Sequence, residues 1–388
     1  MDASRFIARR LRFKGKIAMA SIAVSSFVMI LAVSISAGYR KEIRRGVSSV
    51  SGDIQLTSYT GNFISEDEPI TDTLSYMEML RSVRGVQEIS PAIYRAGIVK
   101  EGDDIHGVIF KGTGAYGDTT RLGVSIPQHL ADLMELEEGS DLLSYFIGDR
   151  VKARKFKVSS IYEGSLSTDD YMIVHASLDD MRRLNGWDEH EVSAIEITLS
   201  DEFKRASLIE QKNSEIGSII NVFETEDDPS LVSTSVVQNY RQLFDWLTLI
   251  DSNVLLILIL MTVVAGFNMI SGLLILLFRN ISTIGVLKSM GMTDREIGKV
   301  FLRVSSSLII KGMALGNALA FLFCIIQSAT HLIRLNPENY FVSSVPVALD
   351  IPMVLVADIA AYAAIMLLLL IPSIFISKVD PAQTVRAA

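Results

Sequence analysis

Four long apolar runs constrain the fold of this chain more than any other feature. Ile17–Tyr39 and Val254–Phe278 contain no charged residue, while the runs over 304–330 and 351–377 carry one charged residue each. About 20 helical residues are enough to span the apolar core of a bilayer. Each run is therefore predicted to form a transmembrane helix. A hydrophobic content of 49% and a mean hydropathy of +0.36 support this prediction and exclude a purely soluble protein.

Basic residues flank the apolar runs unevenly. Residues 1–16 hold six basic residues and one acid, and the 279–303 loop holds five basic residues and two acids. The 331–350 connection has one basic and two acidic residues. Because Lys and Arg near helix ends are retained on the cytoplasmic side, both termini and the 279–303 loop are predicted to be cytoplasmic. Residues 40–250 are then extracytoplasmic.

The predicted order of segments follows from these runs and their flanks. A cleaved signal peptide is the alternative for the first run, but its 23 residues exceed the usual apolar region of about 7–15 residues. The predicted segments are a cytoplasmic N-terminus (1–16), a transmembrane helix (17–39), an extracytoplasmic domain with helical stalks (40–250), a transmembrane helix (251–278), a cytoplasmic loop (279–303), a transmembrane helix (304–330), an extracytoplasmic loop (331–350), a transmembrane helix (351–377) and a cytoplasmic tail (378–388).

Several chemical functions are disfavoured by the sequence. A net charge of −8 gives no overall attraction for nucleic acid, and the five histidines lack metal-ligand spacing. The glycine-rich stretch 112–117 is followed by Asp118 rather than Lys and Ser or Thr, so it is interpreted as a turn and not a phosphate loop. The acidic clusters 66–68 and 226–228 are interpreted as solvated surface. The chain is therefore expected to be non-catalytic and to hold no metal.

The 40–250 segment is predicted to be an α/β domain. Strands and helices alternate in the order of two βαβ-like units, with a hairpin around residues 101–104, a helix capped by Ser177 and ended by Gly186, a helix over 200–217 and a final strand over 219–225. Apolar residues keep helical spacing over 39–50 and again over 236–254. These two stretches are predicted to be continuous helical stalks that extend the membrane helices.

Charged and small residues within the apolar runs predict how the helices contact their surroundings. Lys311 is near enough to a helix end to extend towards the cytoplasmic interface, whereas Asp358 is expected to face a partner helix or a wet cavity. The two are predicted to lie too far apart along the membrane normal to form an ion pair. Small residues four apart favour close helix packing, within one subunit or between two. These small residues are Gly312, Gly316 and Ala320 on the third helix, and Ala357 and Ala361 on the fourth.

The 279–303 loop predicts a helix, a break and a second helix. Gly291 is placed to end the first helix, and Thr293 is placed as the N-cap of the second, with Asp294 and Glu296 in its first turn. A short helix here could serve simply as an anchor at the membrane surface. Its exposed charged end also suits docking to another protein.

Motifs along nearly the whole chain make it resemble the permeases of the LolC/LolE lipoprotein-releasing family, within the wider MacB/FtsX group of ABC transporters. The motifs are 6–10 (FIARR), 155–158 (KFKV) with 161–164 (IYEG), 284–291 (IGVLKSMG) and 380–386 (DPAQTVR). The resemblance implies a bacterial inner-membrane protein with four transmembrane helices and a MacB-like periplasmic core domain. The 279–303 segment would then be its coupling loop.

The resemblance also implies partners and roles. ATP and Mg²⁺ would be bound by a separate ABC ATPase, with a second permease subunit forming a homodimer or heterodimer, and lipoprotein cargo passed to a periplasmic carrier. The Gly291–Ile297 segment is similar to the coupling helix of such permeases, although Thr283 stands where many relatives have Glu. The implied ATPase-coupling residues are Lys288, Gly291, Met292, Thr293, Asp294, Arg295, Glu296 and Ile297.

Two alternatives to lipoprotein release stay open at this point. One is mechanotransmission for efflux or peptide export, as in other MacB/FtsX-like permeases. The other is a membrane sensor or scaffold that binds a partner without coupling to ATP.

Overall fold

The computed structural model describes residues 16–60, 64–101, 104–114, 121–148, 150–162, 172–226, 228–336, 340 and 342–373. The chain divides into two compact units. The membrane unit comprises the residues up to Arg40, Leu247–Ile333 and the residues from Val345 onward. The sheet unit comprises Lys41–Trp246 and Arg334–Ser344.

Within the described ranges, four helices are long and apolar enough to cross a membrane, namely Lys16–Ser48, Arg241–Arg279, Asp294–Thr330 and Ile351–Pro372. Their sequences match the four apolar runs. The helices associated with the membrane unit are α1 (Lys16–Ser51), α7 (Arg241–Arg279), α8 (Ile281–Ser289), α9 (Asp294–Thr330), α10 (Ile351–Leu368) and α11 (Leu370–Ser373).

Helix α9 starts well before its apolar run. Helix α9 begins at Asp294, ten residues before the predicted transmembrane segment at 304, because residues 294–303 continue the helix without a break. The predicted end of the fourth helix, at 374–377, lies outside the described residues.

The two stalks differ in continuity. Helix α1 is unbroken from Lys16 to Ser51, so the first stalk continues the membrane helix as predicted. The second stalk was predicted to be one helix over 236–254, and this is wrong. A one-turn helix, α6 (Val236–Asn239), precedes Tyr240, whose φ of −117° and ψ of 41° interrupt the helix before α7 begins. Apolar spacing continues on both sides of the interruption, so periodicity did not reveal it.

In the described part of the sheet unit, nine strands form one sheet in the order β11-β1-β10-β3-β4-β8-β5-β7-β6. An additional pairing of β3 with β6 closes β3, β4, β8, β5, β7 and β6 into a ring, which we call the barrel. The strands are β1 (Ile54–Ser58), β2 (Ile70–Thr71), β3 (Val86–Glu101), β4 (Asp104–Thr113), β5 (Gly123–Pro127), β6 (Asp141–Phe146), β7 (Lys152–Tyr162), β8 (Ile173–Ser177), β9 (Glu191–Val192), β10 (Ala194–Leu199) and β11 (Leu231–Ser235).

Strand β3 belongs both to the barrel and to the rest of the sheet, which β10, β1 and β11 form. Its first half pairs with β10 and its second half with β6, while β4 pairs along it from Ala92 to Glu101. Three fully buried aromatic rings, Phe110, Phe146 and Phe156, contact one another at centroid distances of 4.9–6.2 Å. These rings come from β4, β6 and β7, so they form an aromatic core shared by three barrel strands.

The helices of the sheet unit connect strands that are not neighbours. They are α2 (Met77–Ser82), α3 (Gln128–Leu133), α4 (Leu178–Asn185), α5 (Ala206–Phe223) and α6. Helix α5 leads from β10 to β11, but β1 lies between these two strands and is antiparallel to both. The parallel pairs are β4 with β8 and β5 with β7. The prediction of two βαβ-like units is therefore wrong. Strand β1 lies between the parallel strands that α5 connects, and the directly paired parallel strands are separated along the chain by further strands.

Local predictions in this unit had mixed outcomes. The hairpin is confirmed by the β3–β4 pairing up to Glu101 opposite Asp104. The helix that follows Ser177 ends at Gly186, whose φ of 78° is left-handed, as predicted, but the Ser177 side chain makes no capping hydrogen bond. The predicted strand over 219–225 is wrong, because α5 continues to Phe223. Residues 115–120, which hold most of the predicted glycine-rich turn, lie outside the described residues.

Candidate functional site

The turn between α8 and α9 is built by neighbouring residues with defined roles. Gly291 has a φ of +91°, a left-handed conformation that suits glycine, and its amide donates to the Lys288 carbonyl at 3.0 Å. Thr293 caps α9: its hydroxyl accepts from the Glu296 amide at 3.4 Å, and the Glu296 carboxylate accepts from the Thr293 amide at 2.9 Å. This capping box fixes where α9 begins. The predicted helix stop and helix start therefore lie where the sequence indicated.

An ion pair closes the same turn. The Lys288 ammonium lies 2.8 Å from the Asp294 carboxylate, joining the end of α8 to the start of α9. The Lys288 side chain is 12% exposed and that of Asp294 is 45% exposed. The pair is therefore partly shielded from solvent, and it commits two of the eight proposed coupling residues to an internal contact.

The proposed coupling residues divide by exposure. Ile297 is fully buried with Ile284 and Phe301 in the core of the membrane unit, and Met292 packs against the same cluster. Ile297 therefore cannot contact another protein directly. The exposed residues, which we call the exposed tip, are Gly291, Thr293, Asp294, Arg295 and Glu296.

The Gly291–Ile297 segment is not a separate helix, contrary to the expectation from the resemblance. It comprises the turn and the first turn of the 37-residue helix α9. The segment is part of α9 for a physical reason. The capping box starts the helix, and buried Ile297, Val300 and Phe301 follow at helical spacing and continue it into the core of the membrane unit. The short separate helix of this region is α8.

The small residues of α9 lie against α1. A Cβ atom at Gly312 would be 2.9 Å from Ile22, and one at Gly316 would be 2.4 Å from the Ala23 carbonyl oxygen. Ala320 is fully buried. On α10, Ala361 is buried and Ala357 packs against the cluster that contains Ala320. The close packing thus occurs within this chain, between α1 and α9 and between α9 and α10.

A chain of polar side chains crosses three helices of the membrane unit. The Ser26 hydroxyl of α1 donates to the Asn317 amide oxygen of α9 at 2.6 Å. The Asn317 amide nitrogen donates to the Asp358 carboxylate of α10, also at 2.6 Å. We call this the Ser26–Asn317–Asp358 chain. Asp358 faces a partner helix of the same chain, one of the two settings expected for it, and Lys311 is exposed.

Sequence reasoning missed Asn317 and Ser26. A signal was present, because an amide directly after Gly316 is a polar group inside an apolar run, where hydrogen bonds between helices satisfy such groups. The packing face identified at Gly312 and Gly316 already pointed to a neighbouring helix.

A second polar contact joins α1 to α7. Ser36 donates to the Asp251 carboxylate at 2.5 Å, and Arg40 approaches the other carboxylate oxygen at 3.4 Å. The Arg40 guanidinium also lies 3.4 Å from the Met353 sulfur of α10. Helix α1 therefore makes polar contacts with α7, α9 and α10 within the membrane unit.

Asp53 organises the junction between the two stalks in the sheet unit. Its fully buried carboxylate accepts from the Ser48 hydroxyl at 2.7 Å and from the Leu199 amide at 2.8 Å. Its backbone amide donates to Ile197 at 3.1 Å, and its carbonyl accepts from the Val236 amide at 2.9 Å. The last turn of α1, strand β10 and the first residue of α6 thus meet at one residue, which we call the Asp53 junction.

A buried polar group lies beside this junction. Lys111 lies 2.9 Å from Glu196, which also bonds to the Tyr94 hydroxyl, and that hydroxyl lies 2.7 Å from the Val50 carbonyl at the end of α1. Burial, followed by the Glu196 charge, raises the pKa of Tyr94 well above its usual range. Burial and the nearby Lys111 lower the pKa of His175 to about 4, so this imidazole is neutral at pH 7.

The acidic cluster 66–68 differs from its prediction at one residue. Glu66 is largely buried, with its carboxylate 3.1 Å from Arg95 and 2.7 Å from Lys152. Its backbone carbonyl accepts from the Trp187 indole at 3.1 Å. Glu66 is therefore an internal ion-pair partner rather than solvated surface, because the fold brings two distant cations to it.

In the part of the chain that the structure describes, no group of three or more His, Cys, Asp or Glu residues is arranged to hold a metal ion. The features with a defined geometry are the exposed tip, the polar contacts among the membrane helices and the Asp53 junction.

Sequence comparisons indicate the class of this protein. The family described as FtsX-like permease C-terminal matches residues 255–381. The lipoprotein-releasing system transmembrane protein LolC of Neisseria meningitidis is 21% identical, over 95% of this chain and 93% of its own. LolC of Xylella fastidiosa is also 21% identical, over 97% of this chain and 95% of its own. Together with the four apolar helices, these matches support an ABC transporter permease, a multi-pass protein of the bacterial inner membrane.

Within that class, the matches support a permease of the LolC/LolE family, in agreement with the sequence motifs. Solved structures overlap more weakly. The periplasmic region of MacB from Actinobacillus actinomycetemcomitans gives a TM-score of 0.31 at 11% identity, covering 51% of this chain and 94% of that one. The extracellular domain of the transporter YknZ from Gram-positive bacteria gives 0.29 at 12% identity, covering 47% and 99%.

Proposed function

We propose that this chain is the permease subunit of a lipoprotein-releasing ABC transporter. It would couple ATP hydrolysis by a separate ATPase to motion of a periplasmic domain that releases lipoproteins from the inner membrane. The observation that carries the proposal is the similarity to LolC along 95% of the chain, which includes both the membrane helices and the segment between them.

The proposed orientation places both termini and the exposed tip in the cytoplasm and the sheet unit in the periplasm. The charge asymmetry of the flanking segments supports it. Cysteines introduced at the exposed positions Ile105 and Arg295 test it in intact spheroplasts. A membrane-impermeant maleimide should label the first and not the second, and labelling at Arg295 from outside would refute the orientation.

The exposed tip is the proposed contact with the ATPase. The capping box and the Lys288–Asp294 ion pair support this role because they hold the tip in one conformation before any partner binds. ATP and Mg²⁺ would be bound by the ATPase, and the permease itself would be non-catalytic. A second permease subunit would complete the transporter.

The stalks are the proposed route of the motion. Helix α1 continues unbroken from the membrane unit to the Asp53 junction, where α6 also begins. Displacement of α1 along its axis would therefore act on β10 and on the start of the second stalk together. A periplasmic carrier would receive the released lipoprotein.

Reconstitution tests the function directly. The full chain and its ATPase, in proteoliposomes that contain a triacylated lipoprotein, should transfer the lipoprotein to a soluble carrier with ATP and not with a non-hydrolysable analogue. A control membrane protein that carries no acyl chains should stay in the vesicles. ATP hydrolysis without release of any acylated protein would contradict the proposal.

The FtsX-like match over 255–381 favours one alternative, a mechanotransmitting permease for efflux or peptide export. Such a protein would use the same exposed tip and stalks. In the reconstituted system it would hydrolyse ATP and move a peptide or small molecule while leaving lipoproteins in the membrane. A sensor or scaffold would instead bind no ATPase.

A further inference from the structure

We propose that Lys311 and the basic residues below it on α9 form a binding site for the phosphate headgroup of an anionic phospholipid in the cytoplasmic leaflet. The inference rests on the proposed orientation, in which α9 spans the membrane with its N-terminal end in the cytoplasm, and it stands independently of lipoprotein release. It begins from the spacing of the cations on this helix.

Residues four apart on an α-helix lie only about 40° apart around its axis. Arg295, Lys299, Arg303 and Lys311 follow this spacing, with Ser307 at the remaining position. They therefore form one oblique row along α9, which we call the basic row. Four of these positions are exposed, namely Arg295, Lys299, Ser307 and Lys311.

The Ser307 and Lys311 end of the basic row lies on a side of α9 that the other helices leave uncovered. Gly312, Gly316 and Ala320 are buried on the opposite side, where α1 and α10 pack. Around Lys311 the apolar side chains Ile310 and Leu315 are 55% and 46% exposed. In a membrane this side of the helix faces lipid or another transmembrane chain.

Lys311 has no protein counter-ion in the described structure, since none of the carboxylates described there lies within ion-pair distance of it. Side chains on a helix point towards its N-terminus, which for α9 is the end that bears Arg295 and Lys299. The Lys311 stem therefore extends along apolar surface and carries its ammonium towards the other cations. A charge on the lipid-facing side of an apolar helix is costly unless it has a partner.

A phospholipid phosphate fits this arrangement better than a soluble anion. It lies at the depth to which an extended lysine reaches, it carries the required negative charge, and its acyl chains cover exposed Ile310 and Leu315. Basic pockets on the cytoplasmic side of transmembrane helices bind anionic headgroups through the same contacts. The site is thus assigned to a lipid headgroup, with Lys311 as the deepest ligand.

Native mass spectrometry of the full chain in mild detergent tests the assignment. The protein is titrated with phosphatidylglycerol and, separately, with phosphatidylcholine of the same acyl chains. The wild type should retain phosphatidylglycerol preferentially, and Lys311→Gln should lower its retention about fivefold, the factor expected for one basic residue at an anionic surface. Lys311→Arg should preserve the preference.

Lys16→Gln is the matched control, because Lys16 is an exposed cation at the start of another membrane helix. It should lower retention clearly less than Lys311→Gln does. Equal retention of the two lipids by the wild type, or an equal effect of Lys16→Gln and Lys311→Gln, would overturn the proposal. A loss of dimer with unchanged lipid retention in Lys311→Gln would also overturn it and would assign the row to a protein partner.

Discussion

The Ser48 hydroxyl in the last turn of α1 donates to the Asp53 carboxylate at 2.7 Å. This hydrogen bond spans the change from helix α1 to strand β1. Gly52 makes this change possible, because its φ of 69° turns the chain immediately after the helix ends. The same carboxylate holds the Leu199 amide. The end of a long membrane-derived helix is thus fixed to a central strand by one buried side chain.

Removal of that side chain should destabilise the sheet unit. Asp53→Ala leaves the Ser48 hydroxyl and the Leu199 amide without their acceptor, at a cost of about 1–3 kcal/mol for each donor left buried. We expect a clearly lower melting temperature of the full chain in detergent, followed by tryptophan fluorescence. Asp201→Ala, at a 97% exposed carboxylate paired only with Lys204 three residues on, is the control and should change little. Equal melting of the two variants would argue against the Asp53 junction.

Reversal of one charge at the exposed tip should weaken ATPase binding. Arg295→Glu leaves the Lys288–Asp294 pair in place and adds an acid to the first turn of α9, where the helix dipole favours it. The permease should therefore fold and insert normally but retain less ATPase during co-purification. Arg154→Glu, the same change at an exposed residue of the sheet unit, should have no effect. Normal ATPase recovery with Arg295→Glu would mean that the ATPase does not bind at the exposed tip.

The Ser26–Asn317–Asp358 chain should contribute modestly to the stability of the membrane unit. Asn317→Leu removes both hydrogen bonds, and single bonds between membrane helices are worth about 0.6 kcal/mol and at most about 1.7. We expect a small decrease in thermal stability in detergent. The exchanged pair Asn317→Asp with Asp358→Asn keeps a donor facing an acceptor and should recover part of the loss. If the exchanged pair is less stable than Asn317→Leu, the positions of the donor and the acceptor matter more than the presence of a hydrogen bond.

Enlarging Gly316 should separate α1 from α9. A Cβ at this position would lie 2.4 Å from the Ala23 carbonyl oxygen, so Gly316→Leu cannot be accommodated unless the helices move apart. We expect reduced membrane levels and a destabilisation of more than about 2 kcal/mol, in the range of strongly overpacked cores. Ala318→Leu, on the exposed side of the same helix, adds a similar volume and should be tolerated. Similar levels of the two variants would contradict the close packing.

His175 should make the sheet unit less stable in mild acid. Its folded pKa of about 4 lies below the ordinary value of 6.5, so the unfolded state binds a proton first as pH falls below 6.5. Each pH unit between these values costs about 1.4 kcal/mol, or about 2 kcal/mol from pH 6.5 to pH 5. His175→Gln should flatten the dependence of thermal stability on pH over this window. An unchanged slope would assign the acid sensitivity to another group.

The sequence predicted features that depend on local chemistry. The apolar runs and the helix ends at Gly291, Thr293 and Gly186 follow from the residues at those positions. Pairings between distant residues were not predictable. Closure of the barrel depends on β3 meeting β6 across about 45 residues of sequence, which no local pattern records.

The candidate site shows the same division. The capping box could be predicted because Thr293 and Glu296 are three residues apart. The burial of Glu66 could not, because its ion-pair partners Arg95 and Lys152 lie on separate strands. The Asn317 contact with Asp358 likewise needs two helices to be placed side by side. The one-residue interruption at Tyr240 leaves the apolar spacing intact, so it had no signal in the pattern.

Strand β3 couples the folding of the barrel to that of the rest of the sheet. Its first half supplies hydrogen bonds to β10 and its second half to β6, so neither part can lose β3 and remain whole. Local opening should then be a single cooperative event across both parts. Amides of β10 and β6, although far apart in the sequence, should exchange with deuterium at the same rate when opening governs exchange.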